Sequence, residues 1–285
     1  MEKWDLYTKY REKTGGECIR GEELPEGLYH LTVHVWIRNA KGEYLMAQRS
    51  ADRPVFPLMW ECVSGSVLKG ESSIEGAVRE VKEEVGLDLE PGTGRRLLSK
   101  IRGSKVQYEG KAYDDILDVW LFPYDGELRL EEATTDEVAE GKWMAVSQIR
   151  ELDEQKKLVR TLDYFSCVLD AKEPDYRHII GKTVRGKVDR PLGTTHPHYP
   201  DISYPINYGY VEDTFAADGE EQDVYVFGAK EPLLTFEGKV IAVWHRFDDS
   251  EDKWIVSLNG EAFRAEVILG DISFQEQFFW GKLYQ

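Results

Sequence analysis

The segment 65–87, GSVLKGESSIEGAVREVKEEVGL, constrains this chain more than any other. Ser72 with Glu75 three residues later has the form of a capping box, in which each side chain satisfies a backbone N–H at a helix start. Gly86 supplies a left-handed stop. The spacing predicts one helix over Ser73–Val85, with Ile74, Ala77, Val78, Val81 and Val85 on a core-facing stripe. Glu80, Glu83 and Glu84 stand at i, i+3 and i+4, so their carboxylates converge on another face and repel one another. Glu71 enters from the preceding loop. A divalent cation among these groups removes the repulsion, and an all-carboxylate set suits Mg²⁺ or Mn²⁺ better than Zn²⁺.

Around this helix, Leu31–Arg38 alternates as a strand, and Asn39–Gly42 turns it into Glu43–Gln48. Ile116–Phe122 reads as a further strand. Val146–Leu169 reads as a helix, with Ile149, Leu152, Leu158, Leu162, Phe165 and Leu169 at roughly helical spacing. A polar break with Pro174 follows. The expected organisation is a first domain over residues 1–170, a linker over 171–175 and a second domain over 176–285. In the second, Gly181–Asp189, Tyr204–Val211, Val224–Gly228, Gly238–His245 and Lys253–Ser257 are short β-like runs between turns, the pattern of a small β-barrel. Phe274–Phe279 reads as a short terminal helix.

Lys and Arg total 36 against 53 Asp and Glu, a net charge of −17. That balance argues against a nucleic-acid polymer or an anionic membrane as partner. An anionic substrate would then need divalent cations as mediators. Apolar runs stay far short of the ~20 residues of a membrane span. The polar N-terminus does not read as a signal peptide. Cys18, Cys62 and Cys167 are widely spaced and odd in number, which suggests a reducing compartment. The expectation is a cytoplasmic protein. His30 and His34 share one strand face, without an evident third metal ligand. Trp36, Trp60, Tyr108 and Trp120 are candidates for stacking on a base, each also a core candidate.

Gly65, five residues, Glu71, seven residues, then Arg79-Glu80-Val81-Lys82-Glu83-Glu84-Val85-Gly86-Leu87 matches every fixed position of the Nudix hydrolase signature. The first ~165 residues resemble that family, which implies an α/β/α sandwich with a mixed sheet. The resemblance implies Mg²⁺- or Mn²⁺-dependent attack of water on a diphosphate linked to another moiety. Glu80, Glu83 and Glu84 would ligate the metal, Glu71 would ligate or orient, and Arg79 would hold a glutamate by a fork-like pair. Gly65 would let the loop backbone approach the pyrophosphate. Glu137 and Glu140 are candidates for the base. A sub-branch that isomerises isopentenyl diphosphate carries cysteine where this chain has Ser64, so isomerase ranks below hydrolase.

Tyr204-Pro-Ile-Asn-Tyr-Gly-Tyr210, then Asp218-Gly-Glu220-Glu-Gln-Asp223, then the acidic run Asp248–Lys253 resemble the β-barrel inorganic pyrophosphatases. The resemblance implies phosphate contacts from Tyr208 and Lys253, and Mg²⁺ ligands in Asp218, Glu220 and Asp223. This sequence departs from the family's pattern in several places. Glu220 replaces an aspartate, the second acidic run is short, and Phe278-Phe279 stands at a Tyr-Lys pair. Arg185, Lys187 and Arg190 are the basic candidates of the early hairpin. The expected function is hydrolysis of a nucleoside triphosphate, dinucleotide or nucleotide sugar, coupled to pyrophosphate hydrolysis when pyrophosphate is released. The rivals are inorganic pyrophosphatase as the main activity and a nucleotide or pyrophosphate sensor without turnover. Both families often form oligomers, so the resemblance also allows a homo-oligomer.

Overall fold

The computed structural model describes residues 2–103, 107–108, 111–112, 114–169 and 172–285. The side chains of Tyr108 and Cys167 lie outside the described residues. The chain divides into two compact units, Met1–Leu169 and Asp170–Gln285.

The first unit opens with a hairpin of β1 (Lys3–Tyr7) and β2 (Lys13–Ile19). There follow β3 (His30–Arg38), β4 (Tyr44–Arg49), β5 (Trp60–Glu61), β6 (Val63–Ser66), α1 (Ser73–Val85), β7 (Arg95–Arg102), β8 (Gln107–Tyr108), β9 (Lys111–Ala112), β10 (Asp115–Pro123), β11 (Val138–Met144), α2 (Val146–Glu154) and α3 (Phe165–Val168). The main sheet runs β11-β4-β3-β10-β7, with β5 on β4 and β6 on β3. It is mixed, because β10 lies parallel to β3 and antiparallel to β7.

Strand β3 is buried on both faces. Val33, Val35 and Ile37 meet Ala77, Val81 and Val85 of α1 in one core. His34 and Trp36 point to the opposite face, where the Tyr164 hydroxyl lies 2.9 Å from His34 Nδ1 and 3.0 Å from Trp36 Nε1. Each fully buried aliphatic side chain here contributes about 1.5–3 kcal/mol. Helix α1 keeps its expected bounds, with the capping box formed and Gly86 left-handed at φ 73°.

The continuous helix expected over Val146–Leu169 is a correction. Helix α2 ends at Glu154, and Lys156 takes a left-handed φ of 57°. Residues 157–159 then run along β5, with Trp60 N–H donating to Lys157 O at 2.8 Å and Val159 N–H to Trp60 O at 2.9 Å. Leu158 and Leu162 are buried as the apolar spacing demanded, but backbone pairing with β5 replaces the helical turns.

The second unit contains β12 (Thr183–Arg190), β13 (Asn207–Phe215), β14 (Glu221–Phe227), β15 (Thr235–Arg246), β16 (Lys253–Ser257), α4 (Ala265–Glu276) and β17 (Gly281–Tyr284). Pairing runs β12-β13-β14-β16-β15, and β12 also pairs with β15, which closes a five-stranded barrel. The twelve residues of β15 make closure possible, since β12, β16 and β17 pair along different parts of it. The terminal helix is another correction. It covers Ala265–Glu276 and stops where Phe278-Phe279 was expected to be helical. Ile268 and Ile272 face the core, while the buried Glu276 meets Arg246 and Tyr225 instead of solvent. Among the described residues no helix is long and apolar enough to cross a membrane.

Candidate functional site

Strand β6 lies against β3, with Gly65 opposite Val33, and this register lays the glycine loop beside α1. A Cβ on Gly65 would stand 2.0 Å from the carboxyl carbon of Glu80. The structure thus gives the missing Cβ a use other than substrate approach: it makes room for Glu80. Arg79 organises the rest. Its Nε and Nη2 donate to both oxygens of Glu71 at 2.8 and 3.1 Å, and Nη2 also donates to Ser66 O at 2.9 Å. Its Nη1 lies 2.9 Å from Glu83 and 3.0 Å from Glu80. One guanidinium therefore ties the loop to three glutamates of the expected set.

Glu84 is different. It is 6% exposed, and burial pushes its carboxyl well above the usual range. The charges of Glu61, Glu80 and Glu137 add to that rise, and Arg49 opposes it. Burial also raises Glu80, to about 7, with Arg79 opposing. Glu61 is raised by burial as well, despite its ion pair with Arg49 and the Ser64 hydroxyl donating to it at 3.1 Å. The sequence reading missed Glu61. Its signal was a charged residue inside the otherwise apolar run Leu58–Val63. Of the two base candidates, Glu137 is near enough to affect Glu84 and pairs with Arg53 at 2.6 Å, whereas Glu140 pairs with Lys142 at 2.7 Å.

A cavity of about 430 Å³ opens beside the loop, with Glu61, Ser64, Gly65 and Arg49 in its wall. Trp36 and Trp60 are core residues rather than stacking platforms, and Trp120 donates to Ser73 at 3.0 Å. Cys18 and Cys62 are buried free thiols.

In the second unit, β13 and β14 place Tyr210 opposite Asp223, and β16 brings Lys253 alongside. The Lys253 side chain is 2% exposed; its ammonium lies 2.5 Å from Asp223 and also pairs with Glu251. The Tyr208 hydroxyl donates to Asp223. Asp218 accepts the Glu220 N–H at 3.0 Å and shares a hydrogen bond with Glu251. Glu220 is exposed on the turn. Among the described residues, no three His, Cys, Asp or Glu side chains are gathered as a metal site. Within the acidic run only Glu251 joins this cluster. Asp248 accepts the Trp280 N–H at 3.0 Å, Asp249 pairs with Arg246 at 2.7 Å, and Asp252 bonds Tyr176 and His245 at 2.5 and 2.7 Å. Phe279 lies under Arg246, 3.6 Å from centroid to guanidinium, and Phe278 is exposed. Arg190 pairs with Asp189 at 2.8 Å and Lys187 with Glu212 at 3.3 Å.

The NUDIX domain profile matches residues 28–165, and the inorganic pyrophosphatase profile matches residues 181–264. The uncharacterized Nudix hydrolase lin0387 of Listeria innocua is 39% identical over 153 residues, 53% of this chain and 85% of that protein. Its counterpart lmo0368 of Listeria monocytogenes is 33% identical over the same shares. Isopentenyl-diphosphate Delta-isomerase I of Clarkia breweri is 31% identical over 51% of this chain and 55% of its own length. The crystal structure of DR0079 from Deinococcus radiodurans is similar over 55% of this chain and 92% of its own, at 20% identity and a TM-score of 0.42. With the glutamate box in place, the first unit is a hydrolase of acid anhydrides in phosphorus-containing compounds. The chain belongs to the Nudix hydrolase family, and an inorganic pyrophosphatase-like domain forms its second unit.

Proposed function

We propose that the first unit hydrolyses the diphosphate linkage of a nucleoside diphosphate derivative with Mg²⁺ or Mn²⁺. Glu84 carries this reading: a buried carboxylate whose charged neighbours are mostly other carboxylates, among them Glu61 of the cleft wall. The donor set fits a hard divalent cation, being all oxygen and rich in uncompensated charge. Glu80, Glu83 and Glu84 would hold the ion, with Glu71 oriented by Arg79. A bound divalent cation supplies charge neutralisation of the diphosphate and an activated water. Arg79 keeps the loop and helix in register, Arg49 limits repulsion between Glu61 and Glu84, and Glu137 would be the candidate to accept a proton. Isomerisation is not supported: Ser64 occupies the expected thiol position, and Cys62 is buried with its thiol raised well above the ordinary value.

For the second unit we propose pyrophosphate binding through Tyr208 and Lys253, with hydrolysis of pyrophosphate released by the first unit. The engagement of Lys253 with Asp223 and Glu251 favours, as a second reading, binding without turnover. Anion chromatography of products from nucleoside triphosphates, dinucleotides, nucleotide sugars and pyrophosphate tests both. Glu83→Ala should abolish nucleotide cleavage, and Asp223→Ala should stop phosphate release alone. Loss of both activities in Asp223→Ala would sink the two-site reading; intact pyrophosphate throughout would leave the second unit as a binding module.

A further inference from the structure

The cleft extends beyond the box. Gly65 pairs with Val33, and His30 lies three residues further along β3, about 10 Å away at strand rise. There the wall includes Trp4 of β1, from the hairpin that precedes the residues matched by the NUDIX profile. The hairpin is held to the start of β3, because Tyr7 and Tyr29 exchange backbone hydrogen bonds of 2.8 and 2.9 Å.

The Trp4 indole stacks on the His30 imidazole, with centroids 4.1 Å apart and planes 11° from parallel. Trp4 Nε1 and His30 Nδ1 are both buried, and neither meets a hydrogen-bond partner among the described residues. A buried polar group left unpaired costs about 1–3 kcal/mol, so two in one wall call for a ligand. Burial lowers the His30 pKa, so the ring is neutral at pH 7 and has both a donor and an acceptor nitrogen. The nearby carboxylate, Asp115, is taken by Arg102 at 2.8 Å and by the Thr32 hydroxyl at 2.8 Å. It has little capacity left for a sugar diol.

We infer that Trp4 and His30 form the subsite for the nucleobase of the substrate, the base meeting the paired rings and hydrogen-bonding their two unpartnered nitrogens. The inference rests on the proposed diphosphate chemistry at Gly65 for its geometry: diphosphate and ribose would span the ~10 Å between them.

The test is calorimetric titration of the metal-free full chain with AMP, GMP, CMP and UMP, which the enzyme has no diphosphate to cleave. At least one should bind. Trp4→Leu should weaken it tenfold or more, and Trp4→Phe, which keeps a ring and loses the N–H, about threefold. Thermal melts check folding, and Trp4→Phe carries the test if Trp4→Leu unfolds. With a cleaved nucleotide substrate, KM should rise while kcat changes less than twofold. Failure of all four monophosphates to bind at millimolar concentration overturns the inference, as does unchanged affinity in both variants. If monophosphates bind through Trp4 but no diphosphate is cleaved, the hydrolase reading of the substrate falls and the base subsite stands.

Discussion

The carboxyl of Glu80 fills the space that any side chain on Gly65 would need, leaving only 2.0 Å between a Cβ and the carboxyl carbon. The loop and α1 are fitted to each other through this one missing atom. Gly65→Ala must displace Glu80 or the loop. Stability should fall by about 1–3 kcal/mol, the usual cost of overpacking, and kcat/KM should fall at least a hundredfold. Urea unfolding and steady-state kinetics measure both, and a variant with normal activity would show that Glu80 is free to move.

Glu84 makes the metal-free protein sensitive to alkaline pH. A carboxyl whose pKa rises on folding favours the folded state below its unfolded value of about 4.3, and that contribution is lost as pH climbs through the folded value. Glu80 places one such window between its ordinary value and about 7, and Glu84 lies well above its ordinary value. In EDTA, Glu84→Gln should gain stability relative to the parent, with a gain that grows from pH 5 to pH 8. Urea midpoints across that range decide it; a constant difference would mean that Glu84 is not buried as charge.

His34 acts with the opposite sign. Trp36 Nε1–H donates to the Tyr164 oxygen, which lies 2.9 Å from His34 Nδ1. Burial lowers the His34 pKa to about 3. Its contribution is present above the unfolded value of about 6.5 and is lost as pH falls toward 3. Between pH 7 and pH 5 it should amount to about 2 kcal/mol, absent in His34→Gln. Nitrogen NMR should find the His34 ring neutral at pH 6; an imidazolium at that pH contradicts the lowered pKa.

Lys253 is the internal counter-ion of the second unit. Lys253→Met leaves Asp223 and Glu251 facing each other and should cost about 3 kcal/mol, the low end for a broken buried pair because both carboxylates keep some solvent. Adding Asp223→Asn should recover part of the loss. Differential scanning calorimetry of the second unit's transition reads the effect, and an unchanged melting temperature would mean that the ammonium leaves the cluster readily.

Much of the first site was legible because it is local. The capping box, the apolar stripe and the spacing of Glu80, Glu83 and Glu84 all lie within one helix and its entry loop. The early strands were legible for the same reason, since alternation marks a two-sided sheet. The helix expected over 146–169 failed where a non-local partner intervened: β5 claims the backbone of residues 157–159. Helix α4 was misplaced because its buried Glu276 answers to Arg246, thirty residues earlier.

The sequence by itself determined that a carboxylate-rich helix follows a glycine loop, and that a β-rich unit with acidic turns follows it. Those features depend on spacings of three to eight residues, which helix and turn geometry convert directly into position. The tertiary structure decided which charges are left uncompensated. It set Glu61 against Glu84, chose Glu251 from the acidic run to meet Lys253, and brought Trp4 onto His30. Strand pairing over long separations makes these juxtapositions, and burial then gives them their chemistry, because removal of water raises the cost of every unpaired charge and polar atom.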